Sequence, residues 1–123
     1  MGEGTHRKPL FWVGSSRADL SAFPPPVKEV MGFALHLAQV GGRHIDTKPL
    51  KGFGGAGVVE IVEEHDGSAY RAVYTVRFAG AVYVLHAFQK KSKRGIATPK
   101  AELDLVKARL KRAEEHHEQR RSS

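Results

Sequence analysis

The sequence predicts an α+β fold: an antiparallel sheet of about four strands, with two N-terminal helices packed on one face and a C-terminal helix. Three observations predict it. Val27, Val30, Met31, Ala34, Leu35, Leu37 and Ala38 recur at helical spacing, which gives a helix one apolar face. Three successive runs of strand formers, Val58-Val59-Glu60-Ile61-Val62, residues 70–78 and residues 82–88, are separated by the turn formers Asp66-Gly67 and Ala79-Gly80, the pattern of a meander. Thr98-Pro99 then supplies an N-cap and a first-turn proline ahead of Leu103, Val106 and Leu110, which mark an amphipathic last helix.

From the start of the chain, Leu10-Phe11-Trp12-Val13 is a short apolar run closed by Gly14, and it reads as a strand. Ser15-Ser16 can cap a short helix through Arg17-Ala18-Asp19-Leu20. Pro24-Pro25-Pro26 ends that helix, and Pro26 opens the next, because a first-turn proline sacrifices no intrahelical bond. The long helix stops at Gly41-Gly42, with Met31 and Phe33 expected in its core face. Residues 43–57 read as loop. Their glycines, Gly52 to Gly57, precede a strand rather than follow one, so they lack the strand-glycines-helix order of a dinucleotide site and serve as a flexible connection. One domain is expected over residues 1–113, with residues 1–8 disordered and 114–123 a charged, frayed tail.

A chain of 123 residues with 41% hydrophobic and 27% charged residues suits a single globular domain. It has no cysteine, which removes disulfides and thiolate metal sites and suits a reducing compartment. No apolar run reaches membrane length and the N-terminus lacks a secretory core, so a soluble cytoplasmic protein is expected. The net charge of +7 is concentrated. Residues 1–89 hold nine Lys or Arg against eight Asp or Glu, whereas residues 90–123 hold eleven against five. Much of the excess is Lys90, Lys91, Lys93 and Arg94. Such a cluster attracts phosphates, and serves solubility equally.

A two-residue turn at Ala79-Gly80 pairs Arg71 with Phe88, Val73 with His86 and Arg77 with Val82. Alternation then places Ala72, Tyr74, Val76, Phe78, Tyr83, Leu85 and Ala87 on a face for the helices, and Arg71, Thr75, Arg77, His86, Phe88 and Lys90 on the other. The second face has the parts to hold RNA: guanidinium forks for phosphate oxygens, an aromatic for a base, ammonium groups for added negative charge, and a histidine able to move a proton. RNA can be cut by its own 2′-hydroxyl, so no metal or other cofactor is required. A plainer reading stands beside each residue. Arg71 and Arg77 are then strand arginines paired with Glu60, Glu63 or Glu64, His86 is a packed histidine, and Lys48, Lys51 and the 90–94 cluster are solvated. His116-His117 lacks partner ligands at metal-binding spacing.

Lys48-Pro49-Leu50-Lys51-Gly52, Val59-Glu60-Ile61, Tyr70-Arg71-Ala72-Val73-Tyr74, Val84-Leu85-His86-Ala87-Phe88-Gln89-Lys90-Lys91-Ser92, and Thr98-Pro99 leading to Ala108-Arg109-Leu110 together resemble the RelE/ParE toxin superfamily, closest to its HigB-like, phage-derived branch. The resemblance implies a RelE-like fold and the toxin of a type II toxin-antitoxin pair, a ribosome-dependent, metal-independent mRNA endonuclease. It implies a cognate antitoxin with a helix-turn-helix domain and mRNA on the ribosome as partners. By position it carries the scissile-phosphate and proton-transfer roles to Arg71, Lys91 and Lys93, and His86 joins them as the candidate base. Lys48, Lys51, Arg77, Phe88, Lys90 and Arg94 are the expected RNA-binding set. Two departures stand out: Gly95-Ile96-Ala97-Thr98 occupies the place of a base-stacking tyrosine, and Glu60 replaces a strand lysine. Phe88 could take over the stacking, and Lys48 or Lys51 the missing charge. The same fold also hosts ParE-like inhibitors of DNA gyrase and non-catalytic nucleic-acid or antitoxin-binding modules.

Overall fold

Local sequence sets most element boundaries in the computed structural model, which describes residues 7–55, 57–91 and 98–122. A short strand β1 (Leu10–Trp12) leads into helix α1 (Ser16–Ser21) and then α2 (Pro25–Gln39). Pro25 and Pro26 occupy the first positions of α2, where a missing N–H costs nothing. Its end is tied by the Gly42 N–H, which donates to the Leu37 carbonyl at 2.7 Å. Strands β2 (Thr47–Pro49), β3 (Val58–His65), β4 (Ser68–Thr75) and β5 (Val82–Lys91) follow, and α3 (Lys100–Ser122) closes the chain.

The sheet has five strands in the order β1-β5-β4-β3-β2, and it is mixed. β1 runs parallel to β5, while the other neighbours are antiparallel. The expected sheet of about four antiparallel strands is corrected on both counts. β2 lies where the sequence reads as loop, because three residues are too few to display an alternating pattern. β1 is parallel because α1 and α2 carry the chain away before the meander returns beside it.

Asp66 (φ 50°) and Gly67 (φ 77°) form the tight turn between β3 and β4, with His65 opposite Ser68. Both central residues have positive φ, as the right-handed strand twist requires of a two-residue hairpin. The β4–β5 hairpin differs from the two-residue expectation. Arg71 faces Phe88 and Val73 faces His86, but a bulge then shifts the ladder so that Tyr74 faces Val84. The ladder ends there, so Arg77 and Val82 do not pair. The Thr75 hydroxyl accepts the Tyr83 N–H at 3.0 Å, satisfying a buried donor beyond the shift.

The bulge divides β5 between two cores. Val82, Val84 and Ala87 join Val59, Ile61, Tyr70, Ala72 and Tyr74 under α2, which contributes Val27, Met31, Ala34, Leu35 and Ala38. Tyr83, Leu85 and Phe88 join Val58 and Val73 under α3, which contributes Val106, Leu110 and Ala113. Tyr83 and Leu85 therefore pack on the opposite face from the one strict alternation assigns them. Phe33 is also corrected: it is 55% exposed on the outer side of α2, in edge contact with His44. α3 continues to Ser122, through the segment expected to fray. His116 and His117 are drawn into ring contacts with Phe11, Tyr83 and Phe78, an anchor with no helical apolar stripe to announce it.

Two expectations about stability follow. A Cβ at Gly57 (φ 73°) would stand 2.4 Å from the Cβ of Arg77 and 3.0 Å from its Cα, whereas one at Gly67 would meet nothing within 4 Å. In urea unfolding, Gly67→Ala should cost about 1 kcal/mol from left-handed backbone strain alone, and Gly57→Ala about 3 kcal/mol, since overpacking adds to the strain. Burial pushes the Tyr74 phenol up to about 12 from its ordinary 10.0, against the opposing pull of Arg43. The unfolded chain releases that proton near pH 10 while the folded chain keeps it, so stability should fall as the pH rises from about 10 to about 12. Tyr74→Phe should flatten this fall in melts recorded across that range.

Candidate functional site

Cross-strand register assembles the site. Lys48 of β2 lies opposite Glu60, which faces Val73, which faces His86. One row along, Val62 faces Arg71 and Arg71 faces Phe88, and the next row holds Glu64, Ala69 and Lys90. Rows two residues apart share a face, so Lys48, Glu60, Arg71, His86, Phe88 and Lys90 all lie on the side of the sheet that α3 covers. The bulge leaves His86 on this side and brings Leu85 to it as well, the two in succession.

The first turns of α3 close over the middle of that face. Arg71, His86 and Phe88 are each less than one-tenth exposed. The Arg71 guanidinium donates from Nη1 to Glu60 Oε1 at 3.1 Å and to the Thr98 hydroxyl at 3.2 Å. His86 stacks on Phe88, with ring centroids 4.7 Å apart and planes at 21°. Its Nε2 lies 2.7 Å from Glu102 Oε1. An ionised carboxylate only accepts, so Nε2 carries the proton and Nδ1 is left to accept. Arg109 Nη1 approaches Nδ1 at 3.4 Å and donates to the Leu85 carbonyl at 3.0 Å. Its Nη2 donates to Ser15 Oγ at 3.1 Å, and the Ser15 hydroxyl donates to Asp19 at 2.7 Å. Burial lowers the Arg109 pKa, partly offset by the nearby Asp19 carboxylate. A polar chain thus runs from Glu102 through His86, Arg109 and Ser15 to Asp19, tying α3 to β5 and to α1.

The chemistry this arrangement permits is limited by what already occupies it. Arg71 has the planar fork that suits a phosphate, but its charge is offset by Glu60. Both ring nitrogens of His86 are engaged, so it has no lone pair free to take a proton from a substrate. Acting on RNA requires the Thr98 to Glu102 turn to shift and Glu60 to yield Arg71.

The remaining sequence candidates lie outside the buried group. Lys48, on the edge strand, and Lys51, in the turn after it, are exposed. Lys90 is half-buried, and Lys91 closes β5 opposite Ser68. Lys93 and Arg94 lie outside the described residues. Arg77 is not brought to the group: it pairs with Glu114 at 2.9 Å and lies 5.0 Å over the Phe78 ring. Glu114 is twelve residues beyond Glu102, about 18 Å along α3. Thr98, Glu102 and Arg109 were missed as members of the site. The signal for Glu102 and Arg109 is that they fall on one helical stripe with Val106 and Ala113, so two charged residues interrupt a buried face; Thr98, ahead of the helix, gives none. Among the described residues no group of His, Asp and Glu is placed to hold a metal ion, and no helix is long and apolar enough to cross a membrane.

A family model described as "Phage derived protein Gp49-like (DUF891)" matches residues 18–111, which is 94 of the 123 residues. No curated protein and no solved structure matches the chain.

The buried Glu60–Arg71 pair carries a stability prediction. Removing one partner strands a charge in the interior, so Glu60→Leu and Arg71→Met should each cost about 3–5 kcal/mol in urea unfolding. Joined in one protein they should recover most of that loss, because an apolar pair of similar volume leaves nothing stranded.

Proposed function

Because this chain belongs to the Gp49-like family of phage-derived proteins, a family associated with RelE-like toxins, we propose that it is the toxin of a type II toxin-antitoxin pair. In this reading it cuts mRNA on the ribosome without a metal and is neutralised by a cognate antitoxin carrying a helix-turn-helix domain. One observation carries it: the register gathers Lys48, Arg71, His86, Phe88 and Lys90 on one face of the sheet. Arg71 would hold the scissile phosphate in place of the Glu60 carboxylate, Phe88 would stack a base, and His86, once released from Glu102 and with its ring proton moved to Nδ1 away from Arg109, would accept the 2′-hydroxyl proton at Nε2. Lys91 and Lys93 would stabilise the added negative charge, with Lys51 and Arg94 holding the flanking backbone.

A second reading, a non-catalytic module that binds nucleic acid or antitoxin, is favoured by a separate observation. Arg71 is paired and both nitrogens of His86 are engaged, which suits a framework as well as a catalyst.

Induction of the wild type, of Arg71→Lys and of the Arg71→Ala, Lys91→Ala double variant separates these readings when mRNA 5′ ends and DNA breaks are mapped. The endonuclease predicts codon-phased ends from the wild type. It also predicts at least a hundredfold fewer from Arg71→Lys, which keeps the charge but loses the fork. Growth arrest with intact mRNA and intact DNA would support the binding module. DNA breaks with intact mRNA would move the function to a ParE-like inhibition of gyrase.

A further inference from the structure

The far half of α3 and the edge strand β1 enclose a groove that the proposed RNA chemistry does not use. It holds about 320 Å3. Phe11, Trp12 and Val13 line one side, Arg112, Glu115 and His116 the other, with Tyr83 at the base. All of its lining residues except Tyr83 fall outside the stretch 18–111 that the family model matches. The groove is held in shape: the Tyr83 hydroxyl lies 2.7 Å from His116 Nδ1, and Phe11 stacks on Tyr83 at 5.2 Å.

β1 ends the sheet, and among the described residues no strand lies beyond it. Its bonds to β5 come from alternate residues. The Pro9 carbonyl accepts the Val82 N–H at 3.0 Å, and the Val13 N–H donates to the Val84 carbonyl at 2.9 Å. Alternation along a parallel ladder therefore turns the main-chain N–H and C=O of Leu10 and Trp12 toward the open side. An edge with free main-chain groups beside a pocket for alternate side chains is the arrangement that receives an added strand.

We propose that β1 and this groove bind an extended acidic segment of a protein partner, which adds a sixth strand to the sheet and sets alternate apolar side chains into the groove beside Phe11. Charge selects the acidic segment. Arg112 lines the groove, the Arg120 guanidinium lies 4.9 Å over the Phe11 ring at its mouth, and the chain carries +7. Glu115 is the one carboxylate in the lining. RNA is the poorer occupant: Phe11 already has Tyr83 stacked on it, Arg120 over it and His116 in edge contact, which leaves little of the ring open to a base. A second copy is also poorer, because a two-fold axis would set one concavity against another. The inference is independent of the endonuclease reading, since it uses none of those residues.

Trp12 is the chain's single tryptophan and lines the groove, so its fluorescence reports occupancy. The probe is a blocked heptapeptide alternating valine with glutamate, titrated into the full chain. A saturable change in Trp12 emission is expected. It should weaken about tenfold when alternate amides of the peptide are N-methylated, the loss of about 1.4 kcal/mol of main-chain hydrogen bonding. Leu10→Pro removes an outward donor without a bond to β5 and should weaken binding comparably, as should Arg112→Glu, with melting temperatures checked for both. No saturable change, or equal binding of the N-methylated peptide, would overturn the proposal. So would displacement of the peptide by an oligouridylate, or a Trp12 change that tracks dimer formation in sedimentation.

Discussion

The β-bulge opposite Val73 and Tyr74 is the constraint on which the rest of this molecule depends. A strand with strict alternation has one set of residues for each face. β5 must serve two helical layers and a polar site at once, and strict alternation cannot meet all three demands. A regular strand that placed His86 with Arg71 would also turn Val82 and Val84 toward α3 and leave Tyr83 and Leu85 under α2. The extra residue resolves the conflict. Val82 and Val84 stay beneath α2, Tyr83 and Leu85 pack against α3, and His86 still lies beside Phe88. Two cores and one polar site rest on a one-residue shift.

Keeping His86 on that face has an electrostatic consequence. With His86 turned toward α3, the helix has to bring polar partners into a buried face, and it does so with Glu102 and Arg109. A half-satisfied buried network is worse than an apolar one, and this network is completed by the Leu85 carbonyl, Ser15 and Asp19. The gain is specificity of position. Leu103, Val106 and Leu110 would tolerate small rotations of α3, but a guanidinium bonded to both a carbonyl of β5 and the hydroxyl before α1 fixes its rotation and its height. The Glu60–Arg71 pair does the same for the sheet beneath.

The helices and the meander were legible because their signals are local: a 3.6-residue period in α2, a proline at its start, and a turn pair between β3 and β4. The pairing of Arg71 with Phe88 and Val73 with His86 was legible too, since a short hairpin leaves few registers. The bulge was not, because the extra residue, Leu85, is apolar and suits a buried position on either face. β2 was too short to show a period, and β1's parallel partnership depends on where two helices return the chain. In the site, the strand residues could be placed on one face by alternation alone. Their burial could not, since it comes from α3, whose coverage depends on how a charged helix meets the sheet. The tail beyond Ala113 is held by His116 and His117 against aromatic rings, and a pair of histidines amid charges gives no periodic sign of burial.

The exchange at Arg71 decides how the proposed RNA chemistry would operate. A phosphodiester and the Glu60 carboxylate each carry one negative charge, so swapping them across the Arg71 fork leaves its charge balance unchanged. The cost lies with Glu60, a buried carboxylate that would lose its partner and must find water or a proton. Lifting the turn from Thr98 to Glu102 would open the Arg71 side of the pair to water, and it would also separate Glu102 from His86 Nε2. The same displacement that opens Arg71 to a phosphate would therefore also free Nε2 of His86, which can accept a proton once the ring hydrogen sits on Nδ1. In the proposed chemistry, binding and proton transfer would be coupled through one turn of helix, and a substrate too short to displace that turn would engage neither.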